Sequence, residues 1–103
     1  MPKSIFYKIK EVLDKKEYIK DIDREKLKTL LTELEYEIKY LESARADEAK
    51  LLLQKAYSII EGVEDNRNEY STLEDAALEF EVDHPKITYL VQSICQTLSN
   101  IGI

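Results

Sequence analysis

An all-α fold is what this sequence predicts: a small bundle with one long central helix, or a helical hairpin, and shorter helices packed against it. Three observations carry the prediction. The 103 residues include only two Gly and two Pro, so the chain has few points at which to turn. The stretch from Arg24 to Glu61 contains neither. Its apolar residues recur at helical spacing and keep one register for three periods.

The first helix is expected to begin after Ser4, a suitable N-cap. Ile5, Phe6, Ile9, Val12 and Leu13 form its apolar stripe, ringed by Lys3, Lys8, Lys10, Lys15 and Lys16. A basic amphipathic helix can lie on a membrane surface. Glu11, Asp14 and Glu17 are interleaved here, which favours a helix that faces the core with its lysines in water.

"YIKDID" reads as a short connection, with Asp23 capping the second helix and Glu25 in its first turn. The apolar positions then run Leu27, Leu30, Leu31, Leu34, Ile38 and Leu41, followed by Ala49, Leu52, Leu53, Ala56, Ile59, Ile60 and Val63. A heptad fails midway, where Arg45 and Glu48 land on the seam. An eleven-residue period holds: Leu27, Ile38, Ala49 and Ile60 share one register, Leu30, Leu41, Leu52 and Val63 another. The absent turn residues and the kept register predict one continuous helix of roughly forty residues, about 60 Å long at ~1.5 Å per residue. The competing account breaks it at "ESARAD", with Asp47 as the second cap.

"EGVEDNRNEYST" reads as the one clear loop, opened by Gly62, after which Ser71 and Glu74 have the spacing of a capping box for a short helix. Leu73, Ala76, Ala77 and Phe80 should face inward. That helix should stop near Asp83 and His84, because the residue before a proline is pushed out of helical space. Pro85 suits the first position of a last helix, whose stripe is Ile87, Leu90, Val91, Ile94, Leu98 and Ile101. Gly102 is placed to close its C-cap, with Ile103 packing back on Leu98.

The whole, residues 1–103, is expected to be a single helical domain. The start, "MPKSIFYKIKEV", lacks the apolar core of a signal peptide, and no stretch approaches the ~20 apolar residues of a membrane span. The single cysteine, Cys95, allows no internal disulfide. A cytoplasmic location is the expectation.

Net charge is -6, unevenly spread. Residues 1–42 hold ten acids and ten bases. Residues 61–83 hold nine acids against Arg67 alone. Such a face repels phosphate backbones, so nucleic acid is excluded as a partner. It reads as a solvated surface or as a docking surface for a basic protein.

The last 24 residues, "FEVDHPKITYLVQSICQTLSNIGI", resemble a family of short bacterial proteins catalogued only as a domain of unknown function. Members carry Phe-Glu-x-x-His-Pro before the last helix and finish Leu-Ser-Asn-x-Gly-Ile. The matching positions here are Phe80, Glu81, His84 and Pro85, then Leu98, Ser99, Asn100, Gly102 and Ile103. "DREKLKTLLTEL" is similar to the family's second helix, and this chain is longer than is usual there, near residues 45–70. The resemblance implies a small bacterial helical protein and no activity.

No catalytic constellation is visible, so an enzyme is not expected. His84, the one histidine, has Asp83, Glu79 and Glu81 near it. Imidazole with carboxylates could hold a metal or a small ligand, which is the alternative function. Zinc sites want several His or Cys, and corner geometry, with His84 or Asp83 capping the next helix, explains the same residues. A calcium loop starting at Asp65 fails, since Arg67 holds its third position and Tyr70 its sixth. Cys95 shares the inner side of the last helix and reads as a buried small hydrophobe. No metal or cofactor is therefore expected.

A ~60 Å helix would outrun a globule of this size and leave part of its stripe bare. The expected function is a non-catalytic protein–protein interaction module that self-associates as a two-fold dimer. Its candidate interface is Leu52, Ala56, Ile59, Ile60 and Val63, with Tyr36 and Tyr40. Seven tyrosines suit either a core rim or such an interface.

Overall fold

A computed structural model describes residues 4–62 and 66–102, with the backbone alone for 66–69. The described residues form five helices: α1 (Ile5–Lys15), α2 (Asp21–Lys39), α3 (Ser43–Glu61), α4 (Asn66–Leu78) and α5 (Pro85–Ile101). The helices touch in a ring, α1 on α2, α2 on α5, α5 on α4, α4 on α3 and α3 on α1, with α2 also meeting α3 across it. The core fills the ring. Ile9 and Leu13 come from α1, Leu27, Leu31 and Leu34 from α2, and Leu52, Leu53, Ile59 and Ile60 from α3. Leu73 and Ala77 come from α4, and Ile87, Leu90, Val91, Ile94 and Leu98 from α5.

The continuous forty-residue helix does not form. The molecule is 37 Å in its longest dimension, and the chain reverses between α2 and α3. The competing hairpin forms instead, its break running from Tyr40 to Glu42, the first residue of "ESARAD", and Glu42 rather than Asp47 holds the cap position. It needs neither Gly nor Pro. Tyr40 sits at φ -96°, ψ 5°, and Glu42 is extended at φ -62°, ψ 153°, both open to any residue. Two tight bonds, Tyr40 N–H to the Glu37 carbonyl and Leu41 N–H to that of Ile38, close the end of α2. The reversal turns both halves of the stripe onto one core, so the register kept across the break is that of two separate helices.

Other boundaries shift for similar reasons. Lys20, not Asp23, is the N-cap of α2; Asp21 and Asp23 lie in its first turn, where the helix dipole favours acids. Ser71 and Thr72 lie inside α4, so the capping box does not form and the expected loop is shorter. Ser4 does cap α1, its Oγ accepting from the Tyr7 N–H at 3.3 Å. Gly62 ends α3 in the left-handed conformation, φ 74°, where any side chain would be strained.

Arg24 joins α1 to α2, a role without a sequence signal. Its Nε donates to the Leu13 carbonyl at 3.1 Å, and its Nη2 to those of Lys16 and Ile19 at 2.9 and 3.0 Å. Nη1 meets Asp21 at 2.6 Å. The guanidinium thus adds charged donors to carbonyls at the end of α1 and in the α1–α2 connection, of which Leu13 and Lys16 also accept a backbone N–H. Arg24→Met should lower stability by about 2 kcal/mol, since charged donors to carbonyls contribute about 1.5–3 each but one side chain is shared among them. Arg24→Lys should recover less than half, because an ammonium lacks the fork. The urea midpoints of the two variants check both expectations.

Candidate functional site

Two turns meet at one end of the bundle. The α2–α3 reversal brings Tyr40, Leu41, Glu42 and Arg45 against Asp83 and His84 from the α4–α5 connection, around a cleft of about 640 Å³. Beyond Leu78 the chain tightens through bonds from the Glu79, Phe80 and Glu81 N–H groups to the Ala76, Ala77 and Leu78 carbonyls. The His84 N–H then donates to the Phe80 carbonyl at 2.7 Å. Pro85 takes the first position of α5, as expected.

Arg45 ties the corner together. Its guanidinium lies 4.3 Å above the centre of the buried Phe80 ring. One nitrogen donates to the Glu79 carbonyl at 3.1 Å and meets Asp83 at 3.3 Å. The other meets Glu48 at 2.6 Å. Sequence reading placed Arg45 only as a fault in a heptad. No local pattern marks it, since its partners lie 34 and 38 residues away.

The first half of the expected C-terminal motif therefore falls at a joint. Phe80 is its floor, Glu81 points to solvent, and Pro85 starts the outgoing helix. His84 occupies the N-cap position at φ -141°, ψ 67°, but its side chain makes no capping bond. Its carbonyl accepts from the Ile87 N–H at 3.0 Å instead. Asp83 turns its carboxylate to Arg45. Among the described residues no three His, Cys, Asp or Glu side chains converge as a metal site would require. The corner offers a half-buried imidazole and Tyr40 beside an arginine paired with carboxylates.

The other signature end closes α5. Gly102 is left-handed, φ 94°, and its N–H bonds to the Leu98 and Ser99 carbonyls. Ile103 lies outside the described residues, and its expected contact with Leu98 with it. Ser99 and Asn100 are exposed and share a cleft of about 570 Å³ with Tyr70, Glu74, Gln92, Cys95 and Gln96. Cys95 is 2% exposed, and burial, aided by the Glu74 charge, pushes its thiol up to about 12. It is the buried hydrophobe expected of it. Burial likewise raises the Tyr70 phenol to about 12.

The candidate interface divides. Leu52, Ala56, Ile59 and Ile60 are all buried in the chain's own core, so they cannot also be the outer face of a dimer. With the long helix gone, so is the bare stripe that suggested them. Val63 lies outside the described residues. Tyr36 and Tyr40 are different. Their rings are 4.9 Å apart, tilted by 56°, yet 60% and 69% exposed. Lys86 at the start of α5 reaches Glu37 near the end of α2 at 3.3 Å, and the exposed rings leave the tyrosine face of α2 outward.

Comparison with known families places the chain. Residues 3–103 match the model of a family described as Domain of unknown function (DUF4404), and the chain belongs to that family. The match includes residues 45–70, where extra length was expected. No curated protein and no solved structure matches.

Arg45→Ala should cost about 1–2 kcal/mol through the lost carbonyl bond and ring contact, the partly exposed ion pairs adding little. Arg45→Lys should recover only a minor part of the loss, read in thermal melts. Cys95 and Tyr70 set an alkaline limit. Both are protonated in the fold beyond their ordinary values of 9.0 and 10.0. Their contribution is therefore full below about pH 9 and is lost as pH rises towards about 12. Urea midpoints should be flat from pH 7 to 9 and fall above it, less steeply in Cys95→Ala.

Proposed function

We propose that this member of a family of unknown function is a small, non-catalytic interaction module that works in the cytoplasm as a pair of identical chains. The outer face of α2 is the surface that pairs. The observation carrying this reading is the Tyr36–Tyr40 stack, which holds two large rings in mutual contact while leaving both open to water. Rings ordered before association lose little further freedom when a partner covers them, and tyrosine is enriched at such surfaces.

Several features support a non-catalytic role. The one thiol is buried and holds its proton well above neutrality. The signature corner spends its charged groups on joining two turns. The acidic excess of residues 61–83 argues against nucleic acid. No described helix is long and apolar enough to cross a membrane.

Light scattering after size exclusion, over a hundredfold range of concentration, tests the reading. A mass near twice the 12.0 kDa chain at the upper end supports it, and 12.0 kDa throughout overturns it. Tyr36→Ser with Tyr40→Ser should weaken the pair about 10- to 100-fold, as removal of about 1.4–2.8 kcal/mol would.

A further inference from the structure

The outer face of α2 has a property that a two-fold interface requires: it is complementary to itself. In such an interface residue i of one copy meets residue j of the other, and j meets i, so the pattern must read the same from both ends. On a helix of ~3.6 residues per turn, Ile22, Thr29, Tyr36 and Tyr40 fall within about 40° of one another. All four are exposed, Ile22 to 77%. Ile22 and Tyr36 stand seven residues either side of Thr29. Tyr40 stands eleven beyond it, at the C-cap of α2.

The charges follow the same symmetry. Lys26 and Glu33 are three before and four after Thr29, on one edge of this face, and both are exposed. Glu25 and Thr32 occupy the opposite edge. Turning a second copy of α2 antiparallel about an axis at Thr29 sets Ile22 on the partner's Tyr36. It sets Lys26 on the partner's Glu33 and Glu25 on the partner's Thr32. Each attractive pair occurs twice, and no like charges are set face to face among these positions. A shallow depression of about 330 Å³ already lies at the centre, lined by Glu25, Lys28, Thr29, Thr32 and Glu33. Its threonines are short enough to let two helices approach at the ~8–10 Å of ordinary packing.

We infer that the partner is a second copy of this chain docked antiparallel on α2, with the two-fold axis at Thr29 and paired Lys26–Glu33 contacts on one edge. The arrangement rests on the self-association proposed above and assigns its geometry. Two probes separate the two. Thr29→Cys in a Cys95→Ser chain places both new thiols at the axis, within the ~4.4–6.8 Å between Cα atoms that a disulfide spans. Mild oxidation should link most of the protein as a dimer at concentrations where Glu35→Cys, on the same helix but off the face, does not link. Lys26→Glu and Glu33→Lys should each weaken the pair about tenfold, and the double exchange should restore it.

A wild-type chain that is monomeric throughout removes the self-association and this geometry together. A wild-type dimer in which Thr29→Cys does not link and the exchange restores nothing leaves self-association standing and overturns the geometry. Circular dichroism of every variant guards against loss of fold; the α2 positions are exposed, and the buried Cys95→Ser background is measured alone as the reference.

Discussion

Everything in this bundle depends on one reversal that has no turn residue in it. Between Tyr40 and Glu42 the chain doubles back through two ordinary backbone conformations. What holds it back is distant. Arg45, in the first turn of α3, lies over Phe80 and is bonded to Glu79 and Asp83 from the α4–α5 connection. The same contact therefore fixes two turns at once. With the turns joined, α2 faces α3 and α5 across a common core, and Leu27 to Ile38 and Ala49 to Ile60 become walls of one enclosure. Were the chain to run straight, those residues would face water at about 25 cal/mol per Å² of apolar area, and no local preference for a continuous helix approaches that.

That is also why the reversal stood in the sequence only as the competing account. The local evidence for a straight helix is the absence of Gly and Pro and a register kept over eleven-residue steps. Each is true, and each concerns the helix as an isolated rod. The decision belongs to contacts spanning 34 to 38 residues, which local pattern does not contain. Arg24 is the same lesson at shorter range. Its three carbonyl partners have no sequence signature, because a carbonyl belongs to every residue alike. Ends built from backbone constraint were readable instead. Ser4, Gly62, Pro85 and Gly102 stand where their own conformational limits put them. Ser71 with Glu74 shows the limit of that rule, for a capping spacing inside a longer helix caps nothing.

The two halves of the C-terminal motif acquire a common physical sense. Phe80 and Pro85 shape the turn that receives Arg45, and Gly102 closes the far end of the same helix. Between them α5 supplies eight buried residues, among them Thr88, whose hydroxyl donates to the Ala77 carbonyl at 2.7 Å. The motif thus brackets the helix that packs against both α2 and α4. Residues at such brackets are explained by geometry before function is invoked.

If the most distinctive residues build the frame, the functional surface must be sought among residues that the frame leaves out. The closed core removes the aliphatic half of the expected interface and retains the aromatic half. That division is informative, because burial of Leu52, Ile59 and Ile60 is already accounted for by folding, whereas exposure of Tyr36, Tyr40 and Ile22 is not. A solvated helix face has no need of large apolar side chains, and still less of Ile22 and Tyr36 at equal distances from one threonine with opposite charges along one edge. Folding of the single chain is indifferent to that symmetry. A two-fold contact is not, and it is the simplest physical condition under which one helix face would carry the same pattern read in either direction.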